Sequence, residues 1–396
     1  MDTAELVTLL SPEGLRLLDA LPRYDSSADV VRTVSDLRAA GHSPELVAAV
    51  LTQSRLRRRA SAKFGEFADR MLFTEAGLEQ ATRLPVAALH AQRFRGAGLS
   101  RIVDLGCGIG GDALAMAALD LEVTAVERDE LTAAIAAYNL APWSNADVIN
   151  AAAETIQVRE FDAAWLDPAR RTSDSGQTLH RSRNPADWSP SLTVAFDIAA
   201  QLPTGIKLGP GIDRELIPDD AEAQWISVDG AVVELVLWFG ALARPGIRRA
   251  AMVISGTRSD ELVATADSAD AERGPLGEFI YEPDGAVIRA RLIGDLARSL
   301  GATMLSNGIA WLSTNTAFAT PFADRFRVTD SLPFDVKKLK KLVAARGIGT
   351  LEIKKRGVDV DPAALRKTLA PKGPNSATLI LTRVAGKRTA LLAERD

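Results

Sequence analysis

The run Asp104-Leu105-Gly106-Cys107-Gly108-Ile109-Gly110-Gly111-Asp112 limits the fold more than any other part of the chain. It follows Ile102-Val103-Asp104-Leu105, an apolar stretch that reads as a strand, and precedes Ala113 to Ala118, which reads as a helix. Closely spaced glycines at such a handover let the backbone approach a ligand, and the helix N-terminus presents free N–H groups to it. A strand that passes into a helix through this kind of loop belongs to a parallel sheet flanked by helices.

The pattern continues downstream. Strands are expected at Glu122–Val126, Asp147–Ala151, Phe161–Leu166 and Ile206–Leu208, with helices at Glu130–Asn139 and Ser191–Gln201. Ala223–Val228 and Val232–Phe239 follow, joined by Asp229-Gly230, a turn that makes a tight antiparallel hairpin. The expected fold class is α/β, a doubly wound sheet of seven strands ending in that hairpin. Upstream, Ser11-Pro12-Glu13 and Ser43-Pro44-Glu45 each read as an N-cap with proline at the first helical position, so residues 1–95 form a helical N-terminal region. The sheet domain takes 96–240, an α+β continuation 241–329, and a compact α+β tail 330–396.

Charge divides the chain in the same place. The net charge is −4, yet residues 331–396 carry 15 Lys/Arg against 6 Asp/Glu, so the tail is +9 and the rest −13. A basic tail on an acidic body fits either a polyanionic partner or a solvated face. No apolar run is long enough to span a membrane. A single cysteine leaves no internal disulfide, and the N-terminus has no basic signal region, so a cytoplasmic location is expected. His42, His90 and His180 are scattered without ligand spacing, and no metal is expected.

Three features separate the glycine loop from a dinucleotide site. An acid, Asp104, ends the first strand in an Asp-x-Gly-x-Gly-x-Gly spacing, and a carboxylate there suits a cationic amino-acid moiety and would repel a pyrophosphate. Glu127 ends the second strand, where it can accept both hydroxyls of a ribose. Asp167-Pro168 ends the fourth, at the carboxyl edge where ligands bind in open α/β sheets.

With these residues the chain resembles the class I S-adenosylmethionine-dependent methyltransferases, whose fold is a Rossmann-like seven-stranded sheet. The resemblance implies that Asp104 and the loop of Gly106, Cys107, Gly108 and Gly110 hold the methionine part of the cofactor, and Glu127 its ribose. Cys107 reads as a small buried loop residue. Asn150-Ala151-Ala152-Ala153-Glu154 departs from the usual polar ending of the third strand, which leaves the adenine contact open.

Asp167-Pro168-Ala169-Arg170 resembles the Asp/Asn-Pro-Pro-aromatic motif of enzymes that methylate nitrogen on nucleobases, with Ala169 and Arg170 in place of proline and the aromatic. By that likeness Asp167 and Pro168 orient an exocyclic amine towards the methyl, and Arg170 stacks on the base or clamps a phosphate. Arg170 pairing with a nearby acid is the plainer alternative. The following loop carries Arg171, His180, Arg181 and Arg183, then Trp188, a mixture that suits a nucleic acid strand. Trp188 as a packing anchor competes with Trp188 as a stacking platform.

Phe64-Gly65-Glu66-Phe67-Ala68, Leu78-Glu79-Gln80-Ala81-Thr82, Asp-Pro-Ala-Arg-Arg and Lys207-Leu208-Gly209-Pro210-Gly211 are similar to a bacterial methyltransferase family with a C-terminal THUMP-like domain. Trimethylguanosine synthase enzymes are a more distant likeness, and by analogy Gln80 and Thr82 cover the methionine end. The THUMP-like part resembles the family from Val336-Lys337-Lys338-Leu339-Lys340-Lys341 through Ile353-Lys354-Lys355-Arg356-Gly357, which implies RNA contacts from Lys354, Lys355 and Arg356. The expected activity is methylation of a nucleobase nitrogen in RNA. A small-molecule methyltransferase, and a non-catalytic RNA- or protein-binding module with a relic cofactor pocket, are the rivals. Nothing in the sequence separates RNA from DNA.

Overall fold

The computed structural model describes residues 3–21, 27–168 and 187–396, and the chain divides into two compact units. Met1–Lys207 with Trp238–Leu242 make the first, and Leu208–Leu237 with Ala243–Asp396 the second. No helix among the described residues is long and apolar enough to cross a membrane.

The first unit begins with helices α1 (Thr3–Leu9), α2 (Pro12–Ala20), α3 (Ser27–Ala39), α4 (Pro44–Phe64), α5 (Glu75–Gln80) and α6 (Leu84–Gly96). The two Ser-Pro-Glu signals act as expected. Ser11 Oγ accepts from Gly14 N at 3.0 Å and Ser43 Oγ from Leu46 N at 3.2 Å, each with proline in the first turn. Buried Val47, Val50, Leu56 and Phe64 give α4 its inward face. Lys63 Nζ donates to the carbonyls of Leu78, Glu79 and Ala81 at 2.7–2.8 Å, a cation that closes the C-terminal end of α5.

The sheet part of this unit alternates strand and helix. It runs β1 (Arg101–Leu105), α7 (Gly111–Ala118), β2 (Glu122–Glu127), α8 (Glu130–Leu140), β3 (Ala146–Asn150), β4 (Ala163–Leu166), α9 (Leu192–Ala199) and β5 (Thr204–Leu208). The strands lie in the order β3-β2-β1-β4-β5, all parallel. Every residue of β4 is buried, as a central parallel strand requires. Trp165 of β4 packs with Trp238, Phe94 and His90 at ring separations of 4.4–6.2 Å. The rings press on β5 so closely that a Cβ on Gly205 would lie 2.7–2.8 Å from Trp165 and Trp238.

β6 (Glu222–Val228) and β7 (Ala231–Phe239), which belong to the second unit as far as Leu237, are joined by Asp229 and Gly230, both with positive φ, 49° and 79°. Those angles suit a two-residue hairpin turn and explain the Asp-Gly pair. Two further strands, β8 (Arg249–Ser255) and β9 (Arg258–Ala264), give the run β7-β6-β8-β9 and add to the seven expected. β9 reads Arg-Ser-Asp-Glu-Leu-Val-Ala, a polar edge strand without an apolar run to announce it.

The remaining elements are β10 (Phe279–Pro283), α10 (Gly285–Arg289), α11 (Ile293–Leu300), β11 (Thr303–Ser306), β12 (Ile309–Thr314), β13 (Ala323–Pro333), α12 (Val336–Ala345), β14 (Ile348–Lys355), α13 (Pro362–Leu369), β15 (Asn375–Val384) and β16 (Lys387–Arg395). Their seven strands form one sheet, β11-β12-β10-β13-β16-β15-β14. β13 pairs antiparallel with β10 on one side and β16 on the other, so the boundary expected near residue 330 falls inside a strand. One sheet face carries Leu379, Leu381, Ala390 and Leu392 against Leu339, Val343, Leu365 and Leu369 of the two helices. Ile380, Leu391 and Ala393 point the other way, into a cluster with Trp311 and Phe326.

Candidate active site

The glycine loop spans the gap between β1 and α7. Gly106, Gly108 and Gly110 have φ of 89°, 56° and 84°, a region that favours glycine, which accounts for the alternate-glycine spacing. The amides of Gly106 and Cys107 both donate to the Val126 carbonyl, and Gly108 N donates to Glu127 Oε2 at 3.1 Å. The helical N-terminal region bears directly on this loop. A Cβ on Gly77 of α5 would meet Ile109 Cγ2 at 2.5 Å. Asn139 of α8 ties the two together, donating to the carbonyls of Ile109 and Leu72 and accepting from Leu72 N.

Asp104, next to the end of β1, is 1 % exposed, and neither carboxylate oxygen has a hydrogen-bond partner among the described residues. Burial, then the charges of Asp112 and Asp167, raise its carboxyl well above the usual range. A carboxylate in that state needs a donor, preferably a cation, and the α-ammonium of an amino-acid moiety fits. Glu127 ends β2 half-buried and accepts from Gly108 N and from Asp129 N at 2.9 Å. Burial raises its carboxyl too, against those backbone donors. A carboxylate has about four lone-pair positions, so capacity remains for a ribose diol.

Burial also pushes up the Cys107 thiol, followed by the charges of Asp104 and Glu127, which keeps it protonated and unreactive. Asn150, at the end of β3, spends its amide on the carbonyls of Glu127 and Arg128.

Asp167 and Pro168 follow β4, and the Asp167 carbonyl lies 3.6 Å from where a Cβ on Gly106 would sit. The Asp167 side chain is about one-third exposed and forms an ion pair with Lys207 of β5. Lys207 Nζ also donates to Thr82 Oγ1 at 2.8 Å. Thr82 in turn donates to Asp112 Oδ2 at 2.7 Å, and His90 Nδ1 lies 2.9 Å from Asp112 Oδ1. Burial works against the charge on Asp112, yet the His90 hydrogen bond, the Lys207 charge and the Thr82 hydroxyl together hold its carboxyl below the usual value. Lys207 was legible only as part of a family-like string, and its ion pair could not be read from the sequence. Gln80 is exposed at the end of α5, while Thr82 is buried.

Trp188 is 7 % exposed, a placement that agrees with the packing role and leaves little ring face for a base. Arg170, Arg171, Arg181 and Arg183, with Ala169 and His180, lie outside the described residues. In the second unit Lys354 pairs with Glu282 at 2.6 Å and Glu352 at 3.5 Å, and Arg356 pairs with Glu282 at 3.2 Å. Both cations also lie over rings, Lys354 over Phe326 and Arg356 over Trp311. Their charge is largely spent inside the unit, whereas Lys355, Lys337, Lys338, Lys340 and Lys341 are exposed. Among the described residues no group of three or more His, Cys, Asp or Glu could hold a metal ion.

Residues 323–395 match a family model described as THUMP domain-like, and residues 2–60 match a domain of unknown function, DUF8688. Proteins from two strains of Mycobacterium tuberculosis, each named an uncharacterized S-adenosylmethionine-dependent methyltransferase, are 34 % identical over 340 residues, covering 83 % of this chain and 90 % of theirs. A Porphyromonas gingivalis W83 crystal structure assigned as a methyltransferase covers 94 % of this chain and all of its own, with a TM-score of 0.72 at 20 % identity.

Proposed function

The chain belongs to the S-adenosylmethionine-dependent methyltransferases, and from that premise we propose that it transfers the methyl group to a nucleobase nitrogen in RNA. The observation that carries the reading is Asp167 just past the end of β4, its backbone carbonyl beside Gly106 of the glycine loop and its carboxylate paired with Lys207 and about one-third exposed. A second support is the THUMP-like match over residues 323–395, where the sequence places the basic tail.

S-adenosylmethionine, when bound, supplies a methyl group activated by a sulfonium charge. Asp104 would accept hydrogen bonds from its ammonium, and the amides of the Gly106–Gly110 loop would line the methionine end. Glu127 would take the ribose hydroxyls. Asp167 would accept a hydrogen from the exocyclic amine, turning the nitrogen lone pair towards the methyl, so that rate comes mainly from positioning. The same bond gives the departing amine proton a first acceptor. The exposed lysines of α12 would neutralise backbone phosphates and recruit the strand.

Labelled cofactor, the protein, and total RNA from a strain lacking it make the test. Label recovered in an N-methylated nucleoside is the expected result. Label in a carbon- or ribose-methylated nucleoside removes the nitrogen assignment. Label that appears only in small molecules removes RNA altogether.

A further inference from the structure

We propose that Thr82, Asp112 and His90 are positioning residues for the methyl-accepting side of the site, and that they act through Lys207 on the Asp167 carboxylate. The inference deepens the reading just given and rests on Asp167 as the residue that orients the acceptor.

The geometry is a directional chain drawn from four parts of the fold. An ammonium has only donors, so Thr82 Oγ1 must be the acceptor in its 2.8 Å contact with Lys207 Nζ. A threonine hydroxyl has one hydrogen, and the 2.7 Å contact to Asp112 Oδ2 takes it. The other Asp112 oxygen accepts from His90 Nδ1, and the His90 ring is fixed against Trp165 with centroids 4.4 Å apart. Thr82, His90 and Asp112 are all at least nine-tenths buried, so water does not compete for these bonds.

Two consequences follow. With its only hydrogen committed to Asp112, Thr82 cannot donate to the carboxylate of the cofactor, so the role at the methionine end implied by family likeness does not use this hydroxyl. Lys207 also stands among the charges of Asp104, Asp112 and Asp167, with Lys63 repelling it from α4. Attraction to three carboxylates does not choose one place for an ammonium. The Thr82 hydrogen bond adds a fixed direction at the ammonium that pairs with Asp167. In this reading the ion pair fixes the direction from which the Asp167 carboxylate meets the incoming amine.

Thr82→Val keeps the side-chain shape and removes the hydroxyl, and Thr82→Ser keeps the hydroxyl. Single-turnover transfer to the RNA substrate should slow in Thr82→Val on the order of 100-fold, the scale of a small misplacement of a reacting group. Cofactor affinity by calorimetry should stay at the wild-type value, and Thr82→Ser should recover most of the rate. A Thr82→Val enzyme that transfers at the wild-type rate overturns the proposal. So does one whose rate loss is matched by lost cofactor affinity, since Thr82 would then be a cofactor contact. A second measurement needs neither cofactor nor RNA. The Lys207 ammonium, clamped between Asp167 and Thr82, should give a slowly exchanging NMR signal in the free protein that Thr82→Val and Asp112→Asn abolish. If that signal persists in Thr82→Val, the coupling is wrong whatever the substrate. If it responds as expected while the wild type methylates no RNA, the substrate reading fails and the coupling stands.

Discussion

Replacing Asp104 by asparagine should move stability and cofactor affinity in opposite directions. The side chain is 1 % exposed, with both carboxylate oxygens lacking partners among the described residues. An unsatisfied buried polar group costs about 1–3 kcal/mol, and more when charged, so the neutral amide should stabilise the cofactor-free protein by about that amount where Asp104 is ionised. The pH dependence fixes the sign. The folded carboxyl titrates well above its usual value, so over the window between the two the native state holds a proton that the unfolded chain has released. Wild-type stability therefore falls as pH rises through that window, and Asp104→Asn, which has nothing to titrate there, should lack the fall. Cofactor binding should respond the other way. A charge-assisted hydrogen bond to the ammonium is worth about 1.5–3 kcal/mol, so its loss should weaken binding by roughly 10- to 100-fold. Because the ammonium favours the ionised carboxylate, wild-type binding should release protons below the raised pKa. Calorimetry in buffers of different ionisation enthalpy measures that release. Hydrogen exchange at the amides of β1 and β4 reports the stability of this unit by itself in a chain of two units. Wild-type affinity in Asp104→Asn, or reduced protection in the free variant, would refute the reasoning.

Asp167→Ala should lower the methyl-transfer rate far more than cofactor affinity, and Asp167→Asn should retain more activity because its amide oxygen still accepts the amine hydrogen; a wild-type rate in Asp167→Ala would remove it from the active site. Glu127→Ala should weaken cofactor binding by about 1–3 kcal/mol through the lost hydroxyl contacts, with calorimetry as the readout. Since Glu127 also holds the amides of Gly108 and Asp129, a thermal scan of the free variant separates loop loosening from lost contacts. Changing Lys337, Lys338, Lys340 and Lys341 together to glutamate should leave cofactor binding intact and weaken RNA binding, with a salt slope shallower by about 3 if each lysine meets a single-strand phosphate. An unchanged slope would make this face a solvated one.

The parts of the fold that could be read in advance are those whose cause is local. The alternate glycines needed positive φ, the Ser-Pro-Glu runs needed a cap, and Asp229-Gly230 needed a left-handed turn; each residue choice is dictated by its own backbone. Asp104 and Glu127 became candidates through their places at strand ends, where ligands meet such sheets. The link from Thr82 to Lys207 was not, because it joins residues 125 apart through side chains that no period or spacing marks. The ion pairs of Glu282 with Lys354 and Arg356 were hidden for the same reason, and a basic string in sequence became partly neutralised in space. Strand β9 escaped because an edge strand need not be apolar.

Strand β13 bears on how such a protein could be assembled in evolution. The THUMP-like match begins at residue 323, the first residue of β13, and that strand is hydrogen-bonded on its far side to β10. A duplication that carried only residues 323–395 into another gene would take with it an eleven-residue strand whose residues 323–327 had lost the pairing that β10 supplies. Such a fragment would seek another edge, including one in a copy of itself. To remain monomeric, an inherited module would have to bring β10 along or find a host that offers a replacement strand.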